Sequence, residues 1–189
     1  MPLSAARSRK RIHERITRYE GFVRHDGLID IEARLTDVKD DDLTLLTGVR
    51  RAGDPVHAIA VRVTLDVSLA IRAIEVSMDA VPYPGGCESI VAAYEQLIGA
   101  NLMTGFRRRV HDALGGIAGC THVNELLGNL PTAAVQTLAG LKPREDDGID
   151  KPFQLDRCHA LDTTGNVVRR YYPKWFRNAS NNVLEGAGP

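Results

Sequence analysis

The stretch His57-Ala58-Ile59-Ala60-Val61-Arg62-Val63-Thr64-Leu65 alternates strictly, placing His57, Ile59, Val61, Val63 and Leu65 on one face at a period of two residues. β-branched side chains fill most of that face, so the segment predicts a half-buried strand. Asp66-Val67-Ser68 then turns the chain into a second strand over residues 69–78. On the other side, residues 12–38 read as a second hairpin. One strand runs to about Val23, and the turn is Arg24-His25-Asp26-Gly27. The returning strand carries Ile29, Ile31, Ala33 and Leu35 on one face. Two successive hairpins predict an antiparallel meander. Residues 40–55 read as a loop with at most one helical turn.

The pattern changes at Pro82-Tyr83-Pro84-Gly85-Gly86, a cluster of breakers. After it, Ile90, Val91, Tyr94, Leu97 and Ile98 recur at helical spacing up to Gly99. A second helix is expected over residues 106–114, stopped by Gly115-Gly116. A third starts at Cys120, with Val123, Leu126, Leu127 and Leu130 as its apolar stripe and Pro131 as a break or restart. Strands first and helices second predict an α+β fold, with three or more helices packed on one face of an antiparallel sheet. The expected organisation is a basic flexible tail over residues 1–10, an α+β metal-site domain over 11–141, a loop and aromatic extension packing on it over 142–177, and a disordered tail over 178–189. Within the extension, Asn166-Val167-Val168 reads as a strand, and Tyr171, Tyr172, Trp175 and Phe176 gather aromatic surface.

Composition narrows the function classes. The 24 basic and 24 acidic side chains cancel, whereas a nucleic-acid binder shows a basic excess or a basic face. The dense basic cluster, Arg7, Arg9, Lys10 and Arg11, lies in the expected tail. No apolar stretch approaches the roughly 20 residues that span a bilayer, and Met1-Pro2-Leu3-Ser4 lacks the apolar core of a secretion signal. A cytoplasmic protein without nucleic-acid or membrane partners is expected. In that setting three cysteines suggest ligands, nucleophiles or buried apolar residues rather than disulfides.

Cys87 follows two glycines where a helix is expected to begin, and a helix N-terminus favours a thiolate. Gly119-Cys120-Thr121-His122 repeats the arrangement, and there the helix dipole keeps His122 neutral. Two soft sulfurs and a neutral imidazole suit zinc or mononuclear iron, with an iron–sulfur cluster as the alternative. For a fourth ligand His57 is preferred over Asp79. Both belong to the edge where one strand of a hairpin starts and the next ends. Asp79, Glu88 and Glu125 are then the candidate acids and bases. The bland alternatives stay open: cysteines that fill the core, or a thiol nucleophile without metal. Cys158-His159 is a further candidate pair, while His13, His25 and His111 are expected to be solvated.

The segment Asp26-Gly27-Leu28-Ile29-Asp30-Ile31-Glu32-Ala33-Arg34-Leu35-Thr36-Asp37 resembles an uncharacterised family of bacterial proteins known as a domain of unknown function. Pro82-Tyr83-Pro84, leading to Cys87, and Gly119-Cys120-Thr121-His122 resemble the same family, which implies no activity. A fainter similarity is to iron–sulfur scaffold proteins of the NifU/IscU type, with Cys87 matching their helix-start cysteine and Cys120 with His122 their later pair. The scaffold's Cys-Gly-Asp motif is missing, and its adjacent His-Cys pair is here reversed and split by Thr121. That resemblance implies a sheet-and-helix architecture with a metal at this place. The leading expectation is a metal-dependent enzyme of lyase, hydratase or hydrolase type. Its substrate would be a small phenolic or carbonyl-containing molecule, and a homodimer is expected. A metal or iron–sulfur carrier is the second reading, and a structural or interaction module the third.

Overall fold

The computed structural model of the chain describes residues 2–139 and 151–178. It forms two compact units, Met1–Leu141 and Lys142–Pro189. Of the loop and extension expected from residue 142, residues 142–150 lie outside the described residues, as do residues 179–189 of the tail expected over 178–189.

The first unit is built on a four-stranded antiparallel sheet. Its strands are β1 (His13–Val23), β2 (Ile29–Lys39), β5 (Pro55–Leu65) and β6 (Ile71–Ala80), in the spatial order β1-β2-β5-β6. The Asp-Gly turn closes the first hairpin. Gly27 adopts φ +82°, a conformation that costs a residue without Cβ little, and the Asp26 carboxylate accepts the Leu28 N–H. Alternation then sorts the side chains. Ile31 pairs with Val63, Ala33 with Val61 and Leu35 with Ile59, and all six are nearly or fully buried. The opposite face carries a charged ladder, Glu32 to Arg62 to Glu75, which suits solvent rather than a second layer.

Residues 40–55 differ from the loop expected of them. They hold a small hairpin, β3 (Leu43–Leu45) and β4 (Gly48–Arg50), as a separate two-stranded sheet. Strands this short carry too few residues for alternation to register. The hairpin is held by contacts remote in sequence: Thr47 Oγ1 donates to the Pro82 carbonyl and Arg50 to that of Val81.

Helices cover the inner face. A 3₁₀ segment (Glu88–Leu97) buries Tyr94 and Leu97, α1 (Phe106–Leu114) buries Phe106, Val110 and Leu114, and α2 (Thr121–Leu138) buries Val123, Leu126, Leu127 and Leu130. Pro131 does not break α2, which continues through it. Because a proline mid-helix removes a hydrogen bond and crowds the preceding turn, the buried stripe on both sides must outweigh that cost. α2 runs along the inner face in the same sense as β1. Arg15 meets Glu125, Tyr19 Oη donates to the Leu126 carbonyl, and Gly21 lies against Thr137.

In the second unit, Asn166-Val167-Val168 opens α3 (Asn166–Tyr171) instead of forming a strand. Two valines with no pairing partner gain nothing from extension. Asp162 accepts the Thr164 N–H, and the Gly165 carbonyl accepts the first helical hydrogen bond, from Arg169. Asp156 organises the preceding loop, accepting from Lys151, Thr163 and Arg177.

Candidate metal centre

The inner face of the sheet is apolar from the Ile29 end to Leu35, and then its chemistry switches. Two residues past Leu35 on β2, still on the inner face, stands Asp37. It pairs with Arg15 on β1 and His57 on β5 in one row across the sheet. The ladder shifts register directly after Asp37, where the pairing passes from Asp37↔His57 to Val38↔Pro55. Such bulges re-aim side chains at the end of a paired stretch. The first turn of α2 closes the row from above, stacking His122 on His57 with ring centroids 3.9 Å apart.

Asp37 is the hub, with a side chain only 5% exposed. Its Oδ1 accepts from Arg15 Nε at 2.8 Å and lies 2.8 Å from His13 Nε2. Its Oδ2 accepts from Arg15 Nη2 at 2.8 Å, with His57 Nδ1 at 3.1 Å and His122 Nε2 at 3.9 Å. Burial by itself would raise the pKa of this carboxyl. The hydrogen bonds from Arg15 and His13 and the charge of Arg15 overcome it and hold the group far below the usual carboxylate range. Asp37 is ionised at every physiological pH.

The two imidazoles are pushed the other way. Burial lowers the His57 pKa, as does the neighbouring His122, against the pull of Asp37. Burial and then the Arg15 charge lower that of His122, again against Asp37. Both rings are therefore neutral at pH 7 and carry lone pairs for a ligand. One ligand atom from each of Asp37, His57 and His122 lies within 4.8 Å of the others. Donors about 2.0–2.1 Å from a shared ion stand roughly 3.0–3.4 Å apart. The 3.1 Å contact meets that spacing, and the 3.9 Å contact is a little longer.

The sequence-predicted residues distribute as follows. His57 and His122 meet, as a pair of ligands must. Cys120 is the N-cap of α2, and its Sγ lies 3.9 Å from His122 Nδ1, the nitrogen turned away from Asp37. Cys87 sits at the start of the 3₁₀ segment. Among the described residues, neither cysteine joins a group of three converging donors. Asp79 accepts from Ser77, Glu88 accepts the Gly85 N–H, and Glu125 pairs with Arg15 at 2.6 Å on the rim of the row. Cys158 is exposed and belongs, with His159, to the second unit. Sequence reasoning missed Asp37, Arg15 and His13. The signal for Asp37 was present, since the phase of Ile29, Ile31, Ala33 and Leu35 continues to it.

A deep network sets the origin of α2. Tyr94, fully buried, accepts the Cys120 N–H at 2.7 Å on its hydroxyl. The same hydroxyl lies 3.2 Å from the Cys120 carbonyl and 3.0 Å from Asn124 Oδ1, while Asn124 Nδ2 donates to Leu114. His122, two residues on, is placed by these bonds.

Fold and site together define a single α+β layer pair with a two-histidine, one-carboxylate cluster at one end of the sheet. The chain belongs to the family described as "Protein of unknown function (DUF2889)", whose family model matches residues 13–136. That span contains Asp37, His57 and His122, together with His13, Arg15, Cys120 and Glu125. No curated protein and no solved structure matches the chain.

Proposed function

We propose that Asp37, His57 and His122 bind a divalent transition metal, zinc or iron, and that the protein is a metal-dependent enzyme acting on a small organic molecule. One observation carries the reading. An ionised carboxylate and two neutral imidazoles, drawn from two strands and a helix start, bring one donor atom each within 4.8 Å of one another. Two histidines and a carboxylate are a donor set suited to zinc or to non-haem iron, and three protein ligands leave coordination positions for water or substrate. A metal there would act as a Lewis acid on a carbonyl oxygen or lower the pKa of a bound water, the common requirement of lyases, hydratases and hydrolases. Arg15 and His13 on Oδ1 are the kind of outer contacts that orient a ligating carboxylate.

Elemental analysis of tag-free protein after incubation with zinc or with ferrous iron under reducing conditions tests this. About one metal per chain is expected, lost in His57→Ala and His122→Ala and weakened in Asp37→Asn. Wild-type protein that remains metal-free under both conditions would refute the proposal. A second reading draws on the 3.9 Å approach of Cys120 Sγ to His122 Nδ1, a thiol beside an imidazole at a helix start. In that reading peptide mapping finds Cys120 alkylated by iodoacetamide ahead of Cys87 and the exposed Cys158, and Cys120→Ala abolishes activity. In the metal reading Cys120→Ala keeps its metal.

A further inference from the structure

The metal reading leaves open which molecules the centre takes, and the flank of the site bears on that question. Asp37 is 5% exposed, His57 16% and His122 23%, whereas Arg15 and His13 are each 35% exposed and Glu125 38%. The more exposed residues of the site thus lie on β1 and at Glu125 on α2. The Arg15 guanidinium lies on that more exposed flank.

Arg15 is only partly committed. A guanidinium has five N–H donors. Among the described residues, Nε and Nη2 serve Asp37, and Nη1 serves Glu125 Oε2. The remaining N–H groups on Nη1 and Nη2 are available to an incoming acceptor. Charge points the same way. Counted together, the carboxylates of Asp37 and Glu125 and the guanidinium of Arg15 carry one negative charge in excess. A divalent cation would reverse that to one positive charge in excess, in a partly buried setting where such a surplus is poorly screened. A neutral ligand leaves it uncompensated, and a monoanion cancels it.

Resting on the metal reading, we infer that the site takes a small carboxylate-bearing molecule, one carboxylate oxygen on the metal and the other accepting from Arg15. The two oxygens of a carboxylate let it bridge the metal and the guanidinium, and as a monoanion it matches the single positive charge in excess. Glu125 is the protein's own carboxylate on that same guanidinium, so it competes with the ligand. His13 keeps Asp37 Oδ1 engaged when Arg15 shifts toward the newcomer.

The test uses cobalt(II)-loaded full-length protein, whose visible absorption reports changes at the metal. Acetate, its neutral counterpart acetamide, and inorganic phosphate are the probes. Acetate is expected to perturb the spectrum at concentrations about tenfold lower than acetamide. Arg15→Gln should hold cobalt yet bind acetate about tenfold more weakly. Glu125→Gln, which removes the competitor, should bind it about threefold more tightly. Equal acetate affinity in wild type and cobalt-loaded Arg15→Gln overturns the inference, as does tighter binding of phosphate than acetate. Should Arg15→Gln fail to fold or to hold cobalt, Glu125→Gln decides, and an unchanged acetate affinity there is equally fatal. Wild-type protein that takes up no cobalt overturns the metal reading and this inference together. Uptake without preference for acetate over acetamide overturns this inference alone.

Discussion

Tyr94→Phe removes one oxygen atom from the interior and leaves the apolar contacts of the ring in place. Its hydroxyl is neutral at any working pH, since burial pushes its pKa up to about 12. The hydroxyl accepts the Cys120 N–H at 2.7 Å and donates toward Asn124 Oδ1 or the Cys120 carbonyl, at 3.0 and 3.2 Å. Phenylalanine leaves the Cys120 N–H without that acceptor. A polar group stranded in this way costs about 1–3 kcal/mol. Asn124 keeps its bond to Leu114, so the loss on that side is smaller. We expect a total of about 2 kcal/mol, which for a chain of this size lowers the melting temperature by roughly 4–8 °C. Urea unfolding should show a lower midpoint with an unchanged slope. The metal-binding assay supplies an independent measure. Because Tyr94 fixes the start of α2, metal affinity should fall about tenfold even though Tyr94 touches no ligand. A midpoint shift worth less than about 0.5 kcal/mol, or full stability loss with unaltered metal affinity, would refute the claim that this hydroxyl positions His122.

Two further outcomes follow from the geometry. Chelator-treated protein should lose stability as the pH falls from 7 toward 5. His57 and His122 have folded pKa values below 6.5, so between those values and 6.5 the unfolded chain binds more protons, and stability drops with acidification. Urea melts across that range check the sign, and His57→Gln with His122→Gln should flatten the slope. Gly21→Ala places a Cβ 2.0 Å from Thr137 Oγ1 and 2.6 Å from its Cβ, forcing β1 and α2 apart. A destabilisation of about 1–3 kcal/mol is expected in the same assay.

Which parts of this structure could be read from the residues depends on how far each signal is local. The inward rhythm of β2 and β5 is set by side-chain polarity alone, so both strands, the turn at Gly27 and the α+β class were legible. α1 ends where Gly115 follows, and α2 begins at the Cys120 cap, both local events. The hairpin at Leu43–Leu45 and Gly48–Arg50 depends on acceptors at Val81 and Pro82, and no local pattern announces it. The centre divides in the same way. His57 and His122 were placed by strand phase and helix start. Asp37 required noticing a charge at an inward position, the kind of local inconsistency that marks a functional or strained site. Helix-start logic equally favoured Cys87, but where a helix origin points is a tertiary matter. His13 was expected to be solvated because it lies on an exposed-looking strand position, yet its ring reaches Asp37.

Asp37 sits on β2, flanked on both sides by paired strands, whereas His122 rides on the opening turn of a helix that packs on the sheet without strand pairing. A cation gripping both would rivet the two layers at the origin of α2. Loading should then slow amide hydrogen exchange in the opening turns of α2 far more than in β2, which its neighbours already protect.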